Sequence, residues 1–344
     1  MRSALPILAV LGAGAVALAA GCAEGGSQGS PPTLSATSAS QAVGRAANRS
    51  GSWMLPETKT GKSILIYAAP ADTDDVNVYD YSSGEQVGVL SGFSAAAGCV
   101  DATGNVYMVS PNGTAFEFAH GGTTPIQTYS PGGDLVGCSV DAKGDLAVTA
   151  ASPGVLTIYA KGSPSQSRTY SNSECEIMSA MGYDDKGNII GEGQYNGTYI
   201  CAVLRGARQE TTLATSGITI NAPNGSMWDG EYFEVGDQEA GSGKSLTGLN
   251  EVSLSGTTLT SRGETMLTDT CYRGLVDVLN PFVVGEKNTP INKHQGRVVV
   301  GSNRLCPPSN GLGIEFWHYP QGGNPFKTYG TTQSVNVLAV SIGT

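Results

Sequence analysis

The chain has 344 residues, 48 of them glycine, with 19 Lys and Arg against 29 Asp and Glu, a formal net charge of −10. That balance, with no basic run, excludes a nucleic-acid binder that works by neutralising phosphates. Charged residues at 14% are too few for a coiled coil or an acidic disordered chain. Glycine at twice the usual ~7%, with many Thr, Ser, Val and Tyr, points to an all-β protein rich in turns.

Residues 1–22 read as an export signal. Arg2 precedes the apolar, small-residue run ALPILAVLGAGAVALAAG at 4–21. Ala17-Leu18-Ala19 offers a plain secretory cleavage site. Ala19-Ala20-Gly21-Cys22 resembles a bacterial lipobox, although Leu18 stands one place early. Removing Cys22 by acylation leaves Cys99, Cys138, Cys175, Cys201, Cys271 and Cys306, an even set that suits an oxidising compartment. Cys22 is therefore the expected lipid attachment, at a bacterial outer membrane or cell surface, with plain secretion as the alternative. Residues 23–52 are small, polar and without apolar period, as in a flexible tether. The expected domains are a signal at 1–22, a tether over 23–60 and a folded unit over 61–344.

From there the chain repeats. GCVDATGNVY at 98–107, GCSVDAKGDL at 137–146 and GYDDKGNII at 182–190 each carry a short apolar strand, a D-x-x-G-[ND] turn and a second strand. WDGEYF at 228–233 is a shortened copy. VNVY at 76–79, AFEF at 115–118, LTIY at 156–159 and IEFW at 314–317 alternate like strands, each followed by a turn. A period of about 40 residues holding four short strands is the mark of a β-propeller blade. The spacing predicts six blades, at 63–94, 95–134, 135–175, 176–220, 221–267 and 268–332. A seventh, in 268–305, is the alternative. The first block has only three strands, at 64–68, 76–81 and 85–90. Residues 334–340 form a strand without a blade, so they are expected to complete blade one as its innermost strand and close the ring like velcro.

The repeat segments GCVDATGNVY and GCSVDAKGDL, with AHGGTTPI, resemble secreted bacterial NHL-repeat-like propeller lipoproteins. That resemblance covers about 63–342 and implies a fold, since many functions share it. Two enzyme families are also similar in fold. Virginiamycin B lyase implies histidines and magnesium. The gluconolactonase group implies Ca²⁺ held by acidic and amide residues at the channel mouth.

Neither ligand set can be picked out here. His120 and His318 fall after the third strands of their blades, on the expected outer part, and His294 lies in a polar loop. Asp72, Asp74 and Asp75 lack the glycine and distal Glu of a calcium loop and suit a turn. Gly241-Ser242-Gly243-Lys244-Ser245 lacks the first glycine of a phosphate loop, which is Gln238 here. Asp101, Asp141 and Asp184 recur with the blade, as turn caps would. The cysteines lack C-x-x-C spacing and are expected to staple the ring as Cys99–Cys138, Cys175–Cys201 and Cys271–Cys306. No catalytic, metal or cofactor residue is expected. The sequence favours a monomeric binding module for a protein, glycan or small ligand, with a metal-assisted lactonase or lyase as the alternative. Such a module meets the membrane only through its anchor. Blade six departs most from the repeat, and Tyr272, Arg273, Asn292, Lys293, His294 and Arg297 gather polar and basic groups there as the expected binding loop.

Overall fold

The computed structural model describes residues 51–59, 63–70, 73–151, 154–171, 179–194, 198–240, 246–268, 276–285, 297–303 and 312–343. They form six sheets, each running outward from an innermost strand. The innermost strands are Val335–Ile342 in blade one, Ala97–Val100 in blade two, Asp134–Val140 in three, Ser179–Tyr183 in four, Pro223–Trp228 in five and Val276–Gly285 in six. Each touches the next, and the sixth touches the first, so the sheets close into a six-bladed β-propeller. The seven-bladed alternative falls. Val276–Gly285 and Arg297–Asn303, within 268–305, are the first two strands of blade six.

The velcro closure is present. Val335–Ile342 pairs antiparallel with Ile64–Pro70, from Ile64 opposite Ile342 to Pro70 opposite Val335. All seven residues of Ile64–Pro70 are buried. Their alternation explains why. Leu65 and Tyr67 pack with Met108, Phe118 and Leu338 toward blade two. Ile64, Ile66 and Ala68 pack with Val300, Phe316 and Val337 toward blade six. A strand covered on both faces has no place for a solvent-facing residue, so its sequence ILIYAAP reads as one apolar run. Further clusters fill the remaining blade interfaces, ending with Leu249, Leu267, Val299, Trp317 and Tyr319 between blades five and six.

Glycine brings the innermost strands together at the axis. A methyl on Gly98 would sit 3.0 Å from the Leu338 carbonyl of blade one. On Gly182 it would meet the Met227 Cα of blade five at 2.9 Å. Serines then bridge neighbouring blades. Tyr183 N donates to Ser139 Oγ at 3.1 Å, and Ser226 Oγ donates to the Ile190 carbonyl at 2.8 Å.

Two blades gain a fifth strand. Trp53–Met54, directly after the low-complexity residues 23–52, pairs antiparallel with the outer strand of blade one. Met54 is buried there. In blade four the fourth strand is only Thr211–Thr212. The chain then crosses over, and Ala214–Ser216 pairs parallel with Thr258–Leu267 of blade five. This crossover straps blade four to blade five. Cys99 and Cys138 staple the innermost strands of blades two and three, with Cα atoms 5.8 Å apart. Cys201 is buried and also disulfide-bonded. Cys22, Cys175, Cys271 and Cys306 lie outside the described residues.

Candidate functional site

A propeller offers two mouths, and the strand registers define them. At one, Val335, Ala97, Asp134, Ser179, Pro223 and Val276 begin the innermost strands, opposite Pro70, Val109, Ala151, Glu192, Asp237 and Asn303. At the other, Ile342, Val100, Val140, Tyr183, Trp228 and Gly285 end them.

This second mouth carries the repeated turns. The Asp101 carboxylate accepts Thr103 N at 2.8 Å and Asn105 N at 2.9 Å. Asp141 accepts Lys143 N at 2.9 Å and Asp145 N at 2.8 Å. Asp184 accepts Lys186 N at 2.9 Å and Asn188 N at 2.7 Å. Asp229 holds the shortened turn through Glu231 N and Tyr232 N, both at 2.7 Å. Gly104, Gly144 and Gly187 follow with φ of 85°, 92° and 84°, a left-handed conformation that glycine adopts without strain. These aspartates are turn caps, as their recurrence suggested. At the first mouth Asp237 does similar work. It is buried, and it accepts Asn221 N at 3.0 Å, Ala222 N at 2.8 Å and Glu239 N at 3.0 Å. It thereby fixes the entry to the innermost strand of blade five. In the acidic run near Asp72, the Asp74 carbonyl accepts Gly92 N and Phe93 N, one step beyond the pair Asp75 and Ser91. Asp72 and 241–245 lie outside the described residues.

The expected binding loop is also largely outside them: Tyr272, Arg273, Asn292, Lys293 and His294, with Arg297 present only as the first backbone position of its strand. In sequence, Val276–Gly285 separates Tyr272 and Arg273 from the other four. That strand starts at the first mouth and ends at the second.

The histidines diverge. Ala115 pairs with Tyr129 and Ile314 with Tyr329, so the counterpart of His120, five residues on, is Tyr319 rather than His318. His318 is exposed and stacked on Phe326, with ring centroids 4.1 Å apart. That is the outer position expected for it. His120 is not on the outside. Its Nδ1 lies 2.7 Å from Ser341 Oγ on the innermost strand of blade one, and its Nε2 2.8 Å from Ser63 Oγ. The end of a third strand overhangs the preceding blade, which a repeat alignment cannot show. Tyr319 overhangs in the same way. Its hydroxyl bonds Glu234 and, at 2.8 Å, Glu251 Oε1 of blade five. Burial and the flanking carboxylates push the Tyr319 phenol up.

Other polar groups are held within or between blades. Tyr129 OH donates to Glu117 Oε2 at 2.8 Å inside blade two. Lys327 Nζ lies 4.3 Å from the Tyr329 ring centre and donates to the Tyr81 carbonyl at 3.0 Å, joining blade six to blade one. Glu210, at the blade four crossover, is 3% exposed, and neither carboxyl oxygen has a hydrogen bond. Burial pushes it up to about 7. Only charged residues interrupting apolar strands, as in FEVGDQEA, hinted at Glu234 from sequence. Nothing local marked Glu210. Among the described residues no three His, Cys, Asp or Glu side chains stand close enough to hold a metal ion together. No family model matches the chain, and no curated protein matches it either.

Proposed function

We propose that this protein is a binding module, a rigid ring held at the bacterial envelope by acylated Cys22 and the polar stretch that follows it. One observation carries the reading. In repeat after repeat the recurring polar side chain serves the fold: Asp101, Asp141, Asp184 and Asp229 each turn one carboxylate oxygen, Oδ1, to two amides of their own turn. The repeat is thus a scaffold, and selectivity falls to residues that do not repeat. Blade six supplies them in an otherwise acidic chain: in sequence Tyr272 and Arg273 precede Val276–Gly285, which starts at the first mouth, and Asn292, Lys293, His294 and Arg297 follow it, beyond its end at the second. The chemistry fits an anionic or hydroxyl-rich ligand, a glycan or a protein surface, met at a channel mouth.

Two measurements test this. Growth with a fatty-acid analogue should label the wild type and not Cys22→Ser, and Cys22→Ser should leave the membrane fraction. An unlabelled, soluble wild type would remove the anchor. Elemental analysis of the purified mature protein, with a lactone-hydrolysis assay, tests the module. Stoichiometric calcium or magnesium accompanied by turnover would replace binding with catalysis.

A further inference from the structure

Blade five does not end level with its neighbours. Its third and fourth strands, Leu246–Ser255 and Thr258–Leu267, run ten residues each, against five or six in blades two and three. Trp228, at the second mouth, pairs with Phe233, and Phe233 with Val252. Residues 253–255 and 258–260 pair with each other beyond that row, so a hairpin projects about 10 Å past it. The parallel strand Ala214–Ser216 braces this projection, from Ala214 opposite Thr258 to Ser216 opposite Thr260, and Leu213 before it is buried. The ring closes through its innermost strands, so the hairpin and its brace stand outside what closure requires. They rise at the mouth where Val276–Gly285 of the next blade ends.

Strand alternation sorts the side chains. Phe233, Val252, Leu254 and Leu259 point into the cluster shared with blade four. Tyr232, Glu251, Ser253, Ser255, Thr258 and Thr260 therefore share the opposite face. The contacts agree. Arg262 Nε donates to Ser253 Oγ at 2.8 Å, and the Tyr319 hydroxyl of blade six lies 2.8 Å from Glu251 Oε1. The neighbouring Glu231 carboxylate raises the Tyr232 phenol, and the charges of Arg262 and Glu251 also reach it. Ser255 and Arg262 are exposed, and Tyr232, Glu251, Ser253, Thr258 and Thr260 are half-buried.

The chemistry of this face selects its occupant. Apart from the Tyr232 ring it has no large apolar side chain, so it lacks the cluster of apolar anchors that holds a protein partner. Glu231 and Glu251 accompany Arg262, so an anionic chain finds no net attraction. The face offers donors and acceptors together. Serine and threonine hydroxyls are both, Arg262 only donates, and Glu251 as a carboxylate only accepts. Sugar hydroxyls match that mixture, and the apolar C–H face of a sugar ring fits the face of an aromatic side chain. We propose that this side of the blade five hairpin is a glycan-binding site, with Tyr232 as the stacking ring and Ser253, Ser255, Thr258, Thr260 and Arg262 as hydrogen-bonding partners of a neutral oligosaccharide. The site rests on the reading of the ring as a binding module and gives that module its ligand class.

A glycan array of neutral and acidic oligosaccharides, probed with the full chain, tests the site. The wild type should bind neutral oligosaccharides. Tyr232→Ala and Arg262→Ala should each weaken that binding about tenfold with Tm unchanged, because neither side chain belongs to the core. No bound neutral oligosaccharide, or binding that survives both substitutions, overturns the site. Should either variant fold poorly, hydrogen exchange on the wild type with its bound oligosaccharide decides. Protection at residues 253–260 supports the site, and protection only elsewhere overturns it. The module fails by a different result: neutral-glycan binding indifferent to both substitutions removes the hairpin site and keeps the module, whereas turnover with stoichiometric metal removes the module.

Discussion

Glu210 gives the sharpest quantitative test of the energetics. Its side chain is 3% exposed, neither oxygen has a partner, and it titrates near 7 instead of 4.5. In the unfolded chain the carboxyl ionises at its ordinary value, while the folded state holds the proton. Folding therefore gains from Glu210 below 4.5 and loses that advantage as pH rises from 4.5 to about 7. Each pH unit of that window is worth about 1.4 kcal/mol, so the full loss above neutrality is about 3 kcal/mol. Glu210→Gln keeps the shape and cannot ionise. The variant should match the wild type at about pH 4.5 and exceed it by about 3 kcal/mol at about pH 8. For a domain of this size that is a rise in Tm of roughly 6 °C. Thermal and urea melts at the two pH values measure it. Equal stabilisation at both, or none at the higher pH, would refute the assignment of a buried, unpaired acid at the blade four crossover.

Other perturbations probe the ring. Deleting 335–342 exposes the seven buried residues of Ile64–Pro70 and opens the closure, so light scattering should show aggregation and calorimetry a loss of the cooperative transition. Cys99→Ser removes a link across 39 positions and should lower stability by about 3 kcal/mol in non-reducing melts, with no difference from wild type once both are reduced. Asp101→Ala strands the Thr103 and Asn105 amides and should cost about 1–2 kcal/mol in urea melts. Gly182→Ala forces a methyl to within 2.9 Å of the Met227 backbone, with an expected loss of about 1–3 kcal/mol by the same measurement.

Much of the fold was legible because a propeller is written locally. Each blade needs strand periodicity, a capped turn and a left-handed glycine, and all three recur at fixed spacing in GCVDATGNVY and GCSVDAKGDL. The unmatched last strand announced its own role, since a blade with three strands leaves an edge that another strand must cover. The pairing of Cys99 with Cys138 followed from their places on neighbouring innermost strands. Other features depend on how one blade leans over the next. The sequence set His120 and His318 alike on the outer part of their blades, yet Tyr319 is the counterpart of His120, and His120 lies at the closure seam. Glu210 carries no local mark of burial in sequence, yet it is buried next to the crossover to blade five. The sequence by itself showed the repeat, its capped turns and an unpaired last strand, because these are written within about 40 residues, while the choice of six blades over seven and the pairing of that strand with Ile64–Pro70 came from the closed ring. The tertiary structure alone decided which polar groups meet across blades, because those partners stand far apart in the chain, 221 positions for His120 and Ser341 and 246 for Lys327 and Tyr81, and no local pattern encodes their distance.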